Sequence, residues 1–120
     1  MKGRYIMAEE YRVFLSLPFR GKTDEEIFKH ICMMKARFLA KHPEYPKVTF
    51  IDNFIKDLDD VDKKYKHKHI AFLSKAIEKL ATCDAIYIGT GADTANGCIV
   101  EDYIAVHYGM QRFFEEEDID

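Results

Sequence analysis

The sequence is short of the features that would take it out of the ordinary globular class. Cysteine is scarce: Cys32, Cys83 and Cys98 are odd in number and widely spaced. That argues against a disulfide framework and for free, buried thiols in a reducing compartment. No stretch approaches the ~20 apolar residues of a membrane span, so no membrane partner is expected. The opening Met1-Lys2-Gly3-Arg4-Tyr5 is not followed by the apolar core of a signal peptide. A strong charge of either sign is also lacking, and a net charge of -3 gives no electrostatic case for nucleic acid. Internal repeats and low-complexity segments do not occur. His67 and His69 alternate with lysines, and no cysteine or third histidine stands at ligand spacing, so neither a metal nor another cofactor is expected. What remains is a chain of 120 residues, 48% apolar. This is enough for one globular domain with a core of its own, cytoplasmic by default.

The chain is organised around the stretch from Asp84 to Gly109. Ala85-Ile86-Tyr87-Ile88 is an apolar run rich in β-branched and aromatic residues, which suits a buried strand. Gly89 to Gly97 is small and polar, and lets backbone amides approach a ligand closely. Cys98 to Tyr108 reads as a helix, with Ile99, Tyr103, Val106 and Met110 at near-helical spacing and Gly109 as its stop. Strand, small-residue loop and helix form the unit with which open α/β sheets bind ligands at the carboxyl ends of their strands. Glu101 lies in the first turns of that helix. Asp84 opens the strand, where a cap on backbone amides is favoured over catalysis.

The rest of the chain builds the same pattern. Residues 1–11 read as a polar lead-in and Arg12–Leu17 as the first strand, broken by Pro18-Phe19-Arg20-Gly21-Lys22. Thr23-Asp24-Glu25-Glu26 is a capping box for a helix with Ile27, Ile31, Met34 and Phe38 on one face, ending before Pro43. Lys47–Ile51 is the second strand. Asp52–Asp62 is an acidic excursion with room for one short helix, and Lys63–His69 is a basic, solvated helix start. A helix from about Lys68 to Thr82 presents Ile70, Leu73, Ile77 and Leu80 as its buried face. Met110–Phe114 is a short last strand, with Phe113 and Phe114 in the core or at a dimer contact. Residues 115–120 form a frayed acidic tail. The predicted fold is α/β: a small three-layer, Rossmann- or flavodoxin-like sandwich with a mostly parallel sheet of three to five strands. By the crevice rule, Leu17–Lys22, Asp52–Asp62 and Gly89–Gly97 meet over one site.

Two motifs add a resemblance. Ser16-Leu17-Pro18-Phe19-Arg20-Gly21 follows the first strand as an S-G-P-M-x-G loop does. Leu80-x-x-Cys83-Asp84-Ala85-Ile86-Tyr87, then Gly91, then Gly97-Cys98-Ile99-Val100-Glu101 follows an L-x-x-C-D-A-V-x … G-W-x-x-S-x-G-A-x-x-E pattern. On these residues the chain resembles the nucleoside 2-deoxyribosyltransferase-like superfamily, closest to its branch known as domain of unknown function 4406. The likeness covers about residues 12–110, with 43–70 unmatched. It implies that Glu101 is a nucleophile that forms a glycosyl-enzyme ester, chemistry within reach of a carboxylate. It implies sugar or phosphate contacts from Ser16, Pro18, Phe19, Arg20 and Gly21, and a ligand-binding surface including Asp84, Gly89, Gly91, Thr94, Asn96 and Gly97. A homo-oligomer and a nucleoside or nucleotide as partner also follow from it. Three positions depart from the pattern. Ala76 stands eight residues before Asp84, where the superfamily places an acid for the leaving base; Ala95 replaces its serine and Ala92 its tryptophan. Asp93, Asp84 or a residue of the 52–62 loop is left as the substitute acid. The alternative expectation is therefore a non-catalytic binder of a nucleotide or nucleotide-derived signal.

Overall fold

A computed structural model describes residues 10–53 and 64–119. Strand β1 (Tyr11–Ser16) leads to helix α1 (Asp24–Lys41), β2 (Val48–Ile51), α2 (Lys68–Leu80), β3 (Ala85–Ile88), α3 (Asn96–His107) and β4 (Gln111–Phe114). Two 3-10 turns, Ala92–Thr94 and Glu115–Asp118, precede α3 and follow β4. Most of the predicted short helix of the acidic excursion and most of the lead-in lie outside the described residues. Tyr11, assigned to the lead-in, already opens β1.

The four strands pair in the order β2-β1-β3-β4, and every pair is parallel. Strand–helix–strand connections impose this arrangement, because a parallel neighbour needs a crossover long enough to return the chain to the starting edge. Strand alternation then divides the core in two. Val13, Leu15, Leu17 and Tyr87 face α1 and meet Ile27, Ile31, Met34 and Phe38. Phe14 and Ile86 face the other way, against Ala76 and Leu80 of α2 and Ala105 of α3. Helices on both faces of one sheet make the predicted three-layer α/β sandwich. Among the described residues no helix is long and apolar enough to cross a membrane.

Helix α1 forms where the capping box sets it. Thr23 Oγ1 accepts from Glu26 N at 3.1 Å, and Glu26 Oε1 accepts from Thr23 N at 2.8 Å. The helix stops at Lys41, one residue short of the His42-Pro43 step that could not continue it.

Helix α2 buries Leu80 and packs Leu73 against the core as predicted, and departs from the predicted face at Ile70. The buried positions of α2 are Ala71, Ala76 and Leu80, while Ile70 is 65% exposed. On α3 the buried positions are Cys98, Glu101 and Ala105. Its apolar stripe points outward, with Ile99, Tyr103 and Val106 between 48% and 64% exposed. Ala76 of α2 and Ala105 of α3 sit in the core against Phe14 and Ile86, where a small side chain fits under a helix better than a large one.

The C-terminal residues are the second correction. The segment expected to fray is a folded turn, with Glu115 0% and Asp118 8% exposed. Charged tails fray because they lack partners, and this one has them. Glu115 accepts from His30 at 2.8 Å, from Arg37 at 2.5 Å and from Thr90 N at 2.9 Å. Asp118 meets His42 at 3.0 Å and accepts from the Tyr87 hydroxyl at 2.7 Å. The cysteine expectation holds in part: all three are free, but only Cys98 is buried and Cys32 is exposed.

Candidate functional site

The strand order reverses between β1 and β3. From β1 the chain passes outward to β2, then returns to β3 on the opposite side. In open α/β sheets the crevice opens at such a point, beyond the carboxyl ends of the two strands. Ser16 ends β1 there, and Gly89 follows β3. The two ends are tied together by Gly89 N donating to Ser16 O at 2.8 Å.

Ser16 is the last residue of β1, on the face turned toward α3, and it is 1% exposed. Its Oγ donates to Glu101 Oε1 at 2.7 Å, across 85 residues of sequence. Glu101 sits in the second turn of α3 and is 7% exposed. Burial disfavours its charge and raises the carboxyl from 4.5 to about 7, against the opposing effect of the Ser16 hydrogen bond. Cys98, one turn earlier, is buried beside the pair. Burial pushes its thiol up to about 11 even though Ser16 bonds to it, so it stays a neutral thiol near pH 7. The result is a carboxyl poised near neutrality at the carboxyl edge of a parallel sheet, with one oxygen engaged by a hydroxyl. Such a group can act as a nucleophile when ionised or as an acid when protonated.

The first and third predicted loops come together. Pro18 Cγ lies 3.4 Å from where a side chain on Gly91 would begin, and Gly91 itself is left-handed at φ +83. A larger residue there would be both strained and crowded. Thr94 Oγ1 donates to Gly91 O at 2.7 Å and fixes the 3-10 turn. Asp93, Thr94 and Asn96 are exposed on the rim, and no side chain caps the first turn of α3. Pro18 is buried, Phe19 is half-buried against the α1-side core, and Arg20 and Gly21 are exposed at the tip of the first loop, where Gly21 takes φ +77. Gly97 leaves room, with Leu73 Cδ1 at 3.9 Å. Of the Asp52–Asp62 loop, only Asp52 and Asn53 are among the described residues.

One predicted ligand residue stands elsewhere, and another turns its open side to the core. Asp84 is at the amino end of β3, where its Oδ2 accepts from Arg12 N at 2.8 Å and its own N donates to Arg12 O at 2.8 Å. It is the strand cap that its position favoured, at the opposite end of β3 from the crevice. Gly89 is buried, and its close approach is to the core: a Cβ there would meet Met34 Sδ at 3.0 Å and Leu17 Cβ at 3.2 Å.

Sequence reasoning passed over Cys98, Asn53 and Glu115. Glu115 has a legible signal: His30 and Arg37 lie seven apart on α1, about two turns, so both face the end of β4. A shallow surface groove of about 380 Å³ lies between α1 and the chain end, lined by Ala36, Arg37, Ala40, Lys41, Asp118 and Ile119. It does not include the Ser16–Glu101 pair. Comparison of the chain with protein-family models, curated proteins and solved structures finds no match.

Proposed function

We propose that the chain binds a nucleoside or nucleotide in the crevice between β1 and β3, and that it cleaves or transfers the N-glycosidic bond with Glu101 as nucleophile. The observation that carries this reading is the 2.7 Å contact between Ser16 and Glu101. It joins the two motifs of the superfamily resemblance at the sheet edge where ligands bind. Oε1 is held by Ser16, and Oε2 has no hydrogen bond to a described residue. In the ionised form Oε2 attacks the anomeric carbon, the C–N electron pair leaves with the base, and a glycosyl ester forms. Water then adds at the same carbon and the ester C–O bond breaks, which regenerates the carboxylate. The sugar keeps the hydroxide and the base takes the proton; a second base in place of water gives transfer.

The second reading, a non-catalytic nucleotide binder, has an observation in its favour. Ala76 is 1% exposed among Phe14, Leu80, Ile86 and Ala105, so the position where the superfamily places an acid supplies none to a leaving base. Loss of a general acid costs about 10²–10⁴-fold. Asp93, exposed on the rim, is the acid the first reading requires. The homo-oligomer implied by the resemblance would form through the outward stripe Ile99, Tyr103 and Val106, and a monomer in sedimentation velocity would remove this part. Reduced thiols fit a cytoplasmic setting.

The test is release of free base from deoxynucleosides, ribonucleosides and their 5′-monophosphates, followed by chromatography, with thermal shift on the same samples. The first reading expects release that falls at least about 10³-fold in Glu101→Ala. A thermal shift without release, unchanged in Asp93→Asn, would leave the binder. Neither release nor shift would sink both.

A further inference from the structure

Asn53 is 4% exposed, and neither its Nδ2 nor its Oδ1 has a hydrogen-bond partner among the described residues. An amide taken from water without a partner is unfavourable, and native structures keep few such groups without a reason. Its place in the fold supplies one. Ile51 pairs with Phe14 in the parallel register of β2 and β1. The pairing ends there; Asn53 stands two residues past the end of β2 and Ser16 is the last residue of β1, so the two lie at the carboxyl ends of neighbouring strands. Phe14 and Ile51, the last paired residues, both pack on the α2 and α3 side, the side from which Ser16 reaches Glu101. Asn53 and Glu101 are shielded to a similar degree, 4% and 7%.

We infer that Asn53 is a ligand-contacting residue of the Ser16–Glu101 crevice, its carboxamide meeting a group that carries a hydrogen-bond donor and acceptor side by side. The inference rests on the proposed nucleoside or nucleotide site and adds a third strand to it. A carboxamide offers two donors and an acceptor. A base edge and a pair of sugar hydroxyls both present the matching pattern, and the amide now unpaired would be completed by either.

The experiment compares wild type with Asn53→Leu, which keeps nearly the same shape, and Asn53→Ala, which avoids any overpacking. Melting temperature is read without ligand. Affinity is read by calorimetry for the four 2′-deoxynucleoside 5′-monophosphates, the free bases and 2-deoxyribose 5-phosphate. The inference expects the ligand-free Asn53→Leu protein to melt at or above the wild-type temperature, by about 4 °C. It expects binding of the monophosphates to weaken by about tenfold or more. A parallel loss for the free base assigns the contact to the base, and one for 2-deoxyribose 5-phosphate assigns it to the sugar. Affinities within twofold of wild type would overturn the inference and leave the proposed function standing. A fall in ligand-free melting temperature in both variants would overturn it in favour of a purely structural amide. Failure of wild type to bind any probe would overturn the proposed function and this inference together.

Discussion

Glu115→Ala is expected to cost about 3–5 kcal/mol of stability, the range for removing one partner from a buried ionic cluster. Glu115 is 0% exposed and accepts from three donors: His30, Arg37 and Thr90 N. Its removal leaves the Arg37 charge and the Thr90 amide facing a cavity. The pH dependence follows from the same contacts. Burial alone would raise this carboxyl, but the hydrogen bonds from His30, Thr90 N and Arg37 outweigh it and hold it at about 2. A carboxyl depressed in the folded state contributes stability above its unfolded value of about 4.5, and loses it as pH falls toward about 2. The displacement is worth about 3 kcal/mol. Urea unfolding at pH 7 should show the full loss in Glu115→Ala, narrowing steadily between pH 4.5 and 2. A difference under about 1 kcal/mol at pH 7 would mean that the C-terminal turn is not held as described. Thr90 belongs to the crevice loop, so the same variant also loosens the rim of the site.

Glu101→Gln is expected to do the opposite and stabilise the protein at pH 8. Here the folded-state carboxyl is raised, to about 7, by burial working against the Ser16 hydrogen bond. A raised carboxyl contributes its stability at low pH and loses it as pH rises from about 4.5 through about 7, because the folded protein binds the extra proton. Wild type therefore carries an unfavourable buried charge above neutrality, worth about 3 kcal/mol. Glutamine keeps an acceptor for Ser16 and removes the charge. Thermal unfolding should show Glu101→Gln higher by about 10 °C at pH 8, the difference shrinking to about 3 °C at pH 5. Equal melting at both pH values, or a lower one at pH 8, would contradict a desolvated carboxyl. A stabilising change at the residue proposed as nucleophile is the trade-off expected of a site that stores unfavourable energy.

How much of this was legible in the sequence differs from element to element. Strand β3 and the inward face of α1 are where the periodicity puts them, since Ala85–Ile88 is one apolar run and Ile27, Ile31, Met34 and Phe38 repeat at helical spacing. The pairing of Ser16 with Glu101 follows from the order of strand, loop and helix in two separated motifs. The face of α2 was legible at Leu73 and Leu80 and not at Ile70. The buried side of α3, Cys98, Glu101 and Ala105, was not legible from hydropathy, because Ile99, Tyr103 and Val106 form a larger apolar stripe that points outward. The C-terminal turn was hidden for another reason. Four acidic residues in a row read as solvated charge, and only the tertiary placement of His30, Arg37, His42 and Tyr87 gives Glu115 and Asp118 their partners. Asp84 is a motif residue whose partner, the Arg12 amide, likewise comes from tertiary placement, 72 residues away in sequence.

The most direct test is a carbon-13 NMR titration of the Glu101 carboxyl, assigned by comparison with Glu101→Gln. The account predicts a midpoint at about 7, moving further up in Ser16→Ala as the one hydrogen bond favouring the charged form is lost. A midpoint near 4.5, unmoved by Ser16→Ala, would mean a solvated helix-surface glutamate and would remove the centre of the site.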